Sequence, residues 1–459
     1  MSSIAEAARC NPERGLNKLV SFDGSTQQFA ELCRPGDDSF FKAESFPTPA
    51  IARGAGLSYT AASFAANVHS IDHGALNKII DFNQAEHWIE IQAGASLGQL
   101  YDFLIDKKLF LATQPGHPRI SVGGCIAPDI HGKNQFLDGT FMNQVISLKL
   151  FHPAHGVIEL DRQKQPDLFR LTCGAYGLTG NIISCKLNLK KIPSAYADVT
   201  LRPLNSIEET LPKLKESAKT ADFVLTWHDF TLKGKSFGKG FIQEGRFKDQ
   251  GSDIIHAANG KKAAEQTLDA ISRGSFLIPV FNSLSIKLMN IMYGARCGSN
   301  GSQTSMTLFD SIFPIQNSKE LYFKFFGTKG FHEYQVVLPE ESFLHYIEGV
   351  KDYLCKHPIP ITLASGKLFA GEQDLLRFSS NGICFALNFA RSGSSYEFLR
   401  FLDKLLLQCK GIPNIIKDSR LSVETVAACY PEYEKFRKAL RDFDPQRVYK
   451  SELSERLAL

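Results

Sequence analysis

Four stretches of this sequence combine glycine with charged or hydroxyl side chains. The first is Arg53-Gly54-Ala55-Gly56-Leu57-Ser58-Tyr59, which directly follows an apolar run. Glycines at alternating positions let backbone N–H groups converge on an anion without interference from Cβ atoms. Arg53 adds a full charge and Ser58 a hydroxyl donor, so the turn suits a pyrophosphate. A Gly-rich turn after a strand also serves purely structural ends, and this turn alone does not decide between them.

The second stretch runs from Pro115-Gly116 through Ser121-Val122-Gly123-Gly124 to Ala127, then into Asp129-Ile130-His131-Gly132-Lys133-Asn134. Paired glycines and small residues allow a flat ring or a phosphate to lie against backbone. His131 and Lys133 sit in a Gly-flanked loop rather than on an apolar face, where a histidine would simply be core. The third stretch, Gly174–Ile183, places three glycines before a β-branched run. The fourth is Lys417-Asp418-Ser419-Arg420. Such a tetrapeptide is ordinarily a solvated turn. Here Ile415 and Ile416 give an apolar approach that would carry Lys417 inward, and a desolvated lysine can act as a base or hold developing negative charge.

Positioning these groups requires a scaffold. Ala50–Arg53, Lys78–Phe82, Trp88–Ala93, Gln144–Phe151 and Asn181–Leu189 read as strands. Ala95–Lys108 reads as a helix, with Leu97, Leu100, Phe103 and Leu104 at helical spacing. No early G-x-G-x-x-G turn in a βαβ unit is present, so the Rossmann pattern is not met. After about residue 194, helical stretches (Ser206–Thr220, Ala257–Arg273) mix with strand-like ones (Phe223–Phe230, Tyr334–Leu338, Gly382–Phe389). A helix over Val423–Phe443 and the segment Asp444–Val448 end the chain. The expected class is α+β, with divisions at 1–195, 196–411 and 412–459.

The 459 residues suffice for two or three domains. The formal charge of +4, from 52 basic and 48 acidic residues, is too near balance to suggest nucleic acid. The N-terminus lacks the apolar core of a secretory signal, and no apolar run is long enough to span a membrane. Ten scattered cysteines without a C-x-x-C pair suggest reduced thiols, no metal centre and a cytoplasmic location.

Taken together and in order, these motifs resemble the vanillyl-alcohol-oxidase-type flavoproteins over nearly the whole chain. The resemblance implies a two-subdomain FAD-binding domain, a sheet-based substrate domain, and a C-terminal segment that returns Lys417 to the cofactor. It assigns FAD contacts to Arg53, Gly54, Ala55, Gly56, Leu57, Ser58 and Tyr59, and to Pro115, Gly116, Ser121, Val122, Gly123, Gly124 and Ala127. Ile130, His131, Gly132, Asn134, Gly177, Leu178, Ile183 and Lys417 complete that set. Relatives that attach FAD covalently use a histidine where this chain has Leu57, so non-covalent FAD follows. Lys417 is the leading catalytic candidate, with His131 and Tyr59 behind it. Lys133, Trp227, Phe313, Gln335, Lys367, Phe369, Cys384 and Ala386 align with a substrate pocket.

Among such flavoproteins, the resemblance is nearest to those that oxidise the C2 hydroxyl of a polyprenyl-phosphate-linked pentofuranose. These pass the keto-sugar to an NAD(P)H-dependent short-chain reductase, so that the pair inverts one carbon. A peripheral contact at the inner face of a membrane would accompany that substrate. A soluble alditol or aldonolactone oxidase using oxygen is the alternative, and a flavin-binding protein without turnover a third.

Overall fold

The computed structural model describes residues 16–43, 45–248, 279–297, 303–314 and 320–459. The helix expected over Ala257–Arg273 lies outside these residues. Strands β1 (Asn17–Val20), β2 (Gln27–Cys33), β3 (Ala50–Arg53) and β4 (His69–Asp72) form a sheet of order β1-β2-β4-β3. Strands β5 (Ile79–Asn83), β6 (Trp88–Gln92), β8 (Val145–His152), β9 (Gly156–Asp161) and β10 (Asn181–Asn188) form a second, of order β5-β6-β10-β8-β9. A short pair joins β7 (Leu109–Phe110) to β11 (Lys190–Lys191).

The largest sheet is built from β12 (Tyr196–Leu204), β13 (Phe223–His228), β14 (Gly240–Phe247), β15 (Gln303–Thr307), β16 (Phe331–Leu338), β17 (Ile361–Phe369), β18 (Gly382–Ala390) and β19 (Ile412–Pro413). Its order is β15-β12-β14-β13-β17-β18-β16-β19. Side chains alternate between its faces. On β16, Tyr334, Val336 and Leu338 join the core under the helices Glu340–Lys356 and Gly393–Gln408, while Glu333 and Gln335 face the opposite way. Strand pairing multiplies this pattern: Gln335 lies opposite Ala386 and Ala386 opposite Ser365, while Glu333 lies opposite Asn388.

Local rules account for most elements and for the main departures. The helix Leu97–Leu104 starts at Ser96, whose side chain accepts from the Gln99 amide, and buries Leu97, Leu100, Tyr101 and Leu104. The helix expected over Val423–Phe443 is instead two, Val423–Cys429 and Tyr433–Phe443. Pro431 stands between them, lacking the N–H that continuation requires. Cys33 is disulfide-bonded, a correction to the expectation of reduced thiols throughout. Disulfides follow proximity in space, which the spacing of cysteines in sequence does not report.

The end of the chain is tied back to its beginning. Tyr449 pairs in parallel with Ala50 along the edge strand β3. The Ala50 amide donates to the Val448 carbonyl and the Lys450 amide to that of Ala50, both near 3.0 Å or less.

Candidate active site

A cavity of about 1130 Å³ runs between the Gly-rich turns of the first two sheets and the exposed face of the third. Strand β3 delivers Arg53 to its wall, and the chain then turns through Gly54–Tyr59. Gly56 has φ +69°, and a Cβ there would lie 2.3 Å from the Arg53 guanidinium. At Gly54 a Cβ would lie 2.1 Å from Ser121 Oγ. Side chains at either position would therefore fill the turn. Among the described residues, the amides of Gly54, Ala55, Gly56, Leu57 and Ser58 donate to no backbone carbonyl. Arg53 donates to Ser63 Oγ at 2.8 Å, and burial pushes its pKa down, with Asp72 opposing. Consecutive uncommitted amides beside a desolvated cation fit a diphosphate.

The Ser121–Gly124 stretch is built differently. The Val122 amide donates to Ala95, the Gly123 amide to Ala93, and the Gly124 amide to Ser121 Oγ. Gly123 packs so closely that a Cβ would stand 3.1 Å from that of Ala93. Ser121, Gly123 and Gly124 still line the cavity, as do Pro115, Gly116, Ala127, Ile130, His131, Gly132 and Gly177. Val122, Asn134, Leu178 and Ile183 do not line it. Asn134 Nδ2 instead ties the loop together, donating to the Ala112 carbonyl at 2.7 Å and to Asp138 at 2.6 Å.

At the far end, Lys417 Nζ lies 3.2 Å from Glu333 Oε1 and 3.4 Å from the centre of the Tyr59 ring. Burial lowers the Lys417 pKa and Glu333 opposes the shift. Burial beside Glu333 raises that of Tyr59 well above the usual phenol range, so the phenol stays protonated. His131 has Phe369 at 4.9 Å and Phe378 at 5.5 Å. Burial, then Lys367 and Lys417, push its pKa well below the ordinary value, so the imidazole is neutral.

The rest of the K-D-S-R segment is a largely buried knot around Asp418 rather than a solvated turn. Arg420 makes a paired contact with Asp403, at 2.6 and 2.9 Å, and meets Asp418 at 2.9 Å. Ser419 Oγ donates to Asp23 Oδ2 at 2.8 Å. Asn414 Nδ2 donates to Gln335 Oε1 at 2.6 Å. These bonds fix the turn that presents Lys417.

On the sheet floor, Lys367 lies opposite Cys384 and pairs with no carboxylate among the described residues. Burial pushes the Cys384 thiol up to about 12, which leaves it a poor nucleophile. Trp227 stacks on Phe241 at 5.4 Å and meets Tyr293 edge-on at 5.1 Å. Lys133 donates to the Ser311 carbonyl. Gln335 and Ala386 line the cavity, but Phe313 and Phe369 do not. Phe313 is wholly buried against Phe309, Tyr101 and Phe110. Phe369 stands behind His131.

Glu333 and His73 are among the polar groups of the cavity that escaped the sequence analysis. Glu333 was legible in principle: it and Gln335 stand at alternate positions of the strand Phe331–Leu338, hence on one face. His73 also lines the cavity. Its Nε2 meets Asn181 Oδ1 at 2.8 Å, and Asn181 Nδ2 donates to the Tyr449 hydroxyl at 2.7 Å. Because a carbonyl oxygen can only accept, Nε2 carries the proton, and His73 Nδ1 is left a buried acceptor without a partner among the described residues.

Residues 41–161 match the family model of the FAD binding domain. The chain is 28% identical over 422 residues to decaprenylphosphoryl-beta-D-ribose oxidase of Mycolicibacterium smegmatis, covering 89% of each chain. A rice L-galactono-1,4-lactone dehydrogenase is 38% identical over 104 residues, 22% of this chain and 18% of its own. D-arabinono-1,4-lactone oxidase of Candida glabrata is 23% identical over 163 residues, 34% of this chain and 30% of its own. With the uncommitted amides and cavity above, these likenesses define an FAD-dependent oxidoreductase. Over 89% of its length the chain is thus similar to the vanillyl-alcohol-oxidase-type FAD-linked oxidases.

Proposed function

We propose that this enzyme oxidises a secondary hydroxyl of a sugar carried on a polyprenyl phosphate, the C2 hydroxyl of a pentofuranose. A partner NAD(P)H-dependent short-chain reductase then returns hydride to the opposite face. The observation that carries this reading is Lys367, a cation without a carboxylate partner among the described residues, on a floor shared with Gln335, Cys384 and Ala386. It suits a phosphate group. The wall beyond it, with Leu225, Trp227, Phe241, Met306 and Ile312, suits a lipid chain. Likeness to a decaprenylphosphoryl-ribose oxidase extends over both halves of the chain, whereas likeness to the lactone enzymes covers 34% of it or less.

In this reading residues 1–195 hold the cofactor, 196–411 the substrate, and 412–459 return Lys417 to the junction. The amides of Gly54–Ser58 and Arg53 hold the diphosphate, and with Leu57 in the turn the attachment is non-covalent. FAD, when bound, supplies the hydride acceptor. Glu333 keeps Lys417 charged against the cost of burial. Lys417 then stabilises negative charge as it develops, either on the substrate oxygen or at the flavin. Neutral His131 and protonated Tyr59 border the same space. No helix among the described residues is long and apolar enough to cross a membrane. The location we favour is cytoplasmic, with peripheral contact.

Anaerobic flavin bleaching tests the reading. Polyprenylphosphoryl ribose should bleach the flavin, and free alditols and aldonolactones should not. Faster bleaching by either free compound would assign the enzyme to the soluble, oxygen-using group instead.

A further inference from the structure

The helix Ser283–Cys297 carries two opposed faces. Ile286 and Asn290 are buried, and Asn290 Nδ2 donates to Asp229 Oδ1 at 2.7 Å. On the same side, Tyr293 reaches Trp227 and the cavity wall. At about 100° per residue, Leu284, Leu288, Ile291 and Met292 fall within an arc of about 100° on the other side. They are 77%, 58%, 57% and 65% exposed. Elsewhere on the described surface, large exposed apolar side chains mostly stand singly, which needs no explanation. Four on one stripe of a single helix do.

The charges nearby select what covers this stripe. Between Phe281 and Arg296 the sequence holds Lys287 and no acidic residue. The loop that follows Asp229 carries exposed Lys233, Lys235 and Lys239 and no acidic residue before Gln243. An aliphatic stripe flanked by lysines is the pattern of a helix lying in a bilayer interface.

We propose that the helix Ser283–Cys297 docks on an anionic phospholipid surface, with its aliphatic stripe among the acyl chains and the Lys233–Lys239 loop against the headgroups. This deepens, and rests on, the reading of a lipid-linked substrate. Because Tyr293 belongs to the same helix, docking would set the apolar cavity wall against the bilayer. A polyprenyl chain could then remain in lipid while its sugar enters.

Flotation of the FAD-loaded enzyme with vesicles tests the proposal and needs no substrate. The enzyme should float with phosphatidylcholine–phosphatidylglycerol vesicles and poorly with phosphatidylcholine alone. Leu288→Glu with Met292→Glu should cut the bound fraction by about tenfold or more. Its flavin absorbance and melting temperature should be unchanged, since both side chains are exposed. Lys233→Glu with Lys235→Glu should abolish the preference for anionic vesicles. Wild-type enzyme that floats with neither vesicle would overturn the proposal, as would a Leu288/Met292 variant that floats normally. A short-chain, water-soluble phosphoryl ribose keeps the two readings apart. It should bleach the flavin equally in wild type and variant, and failure to bleach either sinks the substrate reading while leaving the flotation result to stand alone.

Discussion

The two ends of the cavity are polar by different means. At the Gly54–Ser58 end the donors are backbone amides, and the side chains matter mainly by being absent. At the Lys417 end the polar groups are side chains from distant parts of the chain, each held by a partner: Glu333 for Lys417, Asn414 for Gln335, Asp403 for Arg420. A backbone-built site suits a ligand that never changes, since most substitutions leave amides in place. A side-chain-built site can be retuned one residue at a time, which suits a variable substrate.

Substitutions at the two ends should therefore fail in different ways. The largest effect is expected at Lys417. Lys417→Ala should bind FAD yet lose about 100-fold or more in the rate of flavin reduction, as removal of a preorganised charge does. Stopped-flow bleaching reads this directly, and a rate within about threefold of wild type would remove Lys417 from the chemistry. Gly56→Val should give the reverse: poorly flavinated protein, because the residue is held at φ +69° against the Arg53 guanidinium. The ratio of flavin to protein absorbance after purification measures it. In wild type, acid precipitation should release all the FAD, and fluorescence retained by the polypeptide would contradict non-covalent binding at the Leu57 turn.

Lys367→Ala should be milder, raising KM for a phosphorylated sugar by about tenfold while the reduction rate at saturation holds. An equal loss with phosphate-free sugars would mean that Lys367 does not meet a phosphate. The smallest effect is a shift in pH. Glu333 raises the Lys417 pKa against the lowering by burial. In Glu333→Gln the ammonium should therefore lose its proton at lower pH, and the alkaline fall in reduction rate should move to lower pH. An unmoved alkaline limb would separate that limb from Lys417.

The same contrast explains what the sequence revealed. The Arg53–Tyr59 turn is a local object, with strand, glycines and charge contiguous, so its place at a cavity was legible. The Ser121–Gly124 stretch has the same glycine signature, yet its amides are spent on Ala93, Ala95 and Ser121. Glycine there permits close packing, and no local pattern separates that use from anion binding. Lys417 was legible from its apolar approach, but the burial of Asp418 and Arg420 was not, because Asp403 arrives from a separate helix. Phe313 aligned with a pocket position and lies in the core among other aromatic rings. His73 gave no signal, since its partners Asn181 and Tyr449 come from far along the chain.

The pairing of Tyr449 with Ala50 bears on how the enzyme is made. The ribosome synthesises β3 long before Val448–Lys450, so the edge strand leading into the Gly54–Tyr59 turn stays open over that interval. Tyr449 also anchors Asn181, which fixes the proton on His73. The cavity wall at β3 is thus complete only once Val448–Lys450 have been made. A stop codon just before Val448 should therefore yield poorly flavinated protein, which the ratio of flavin to protein absorbance reads.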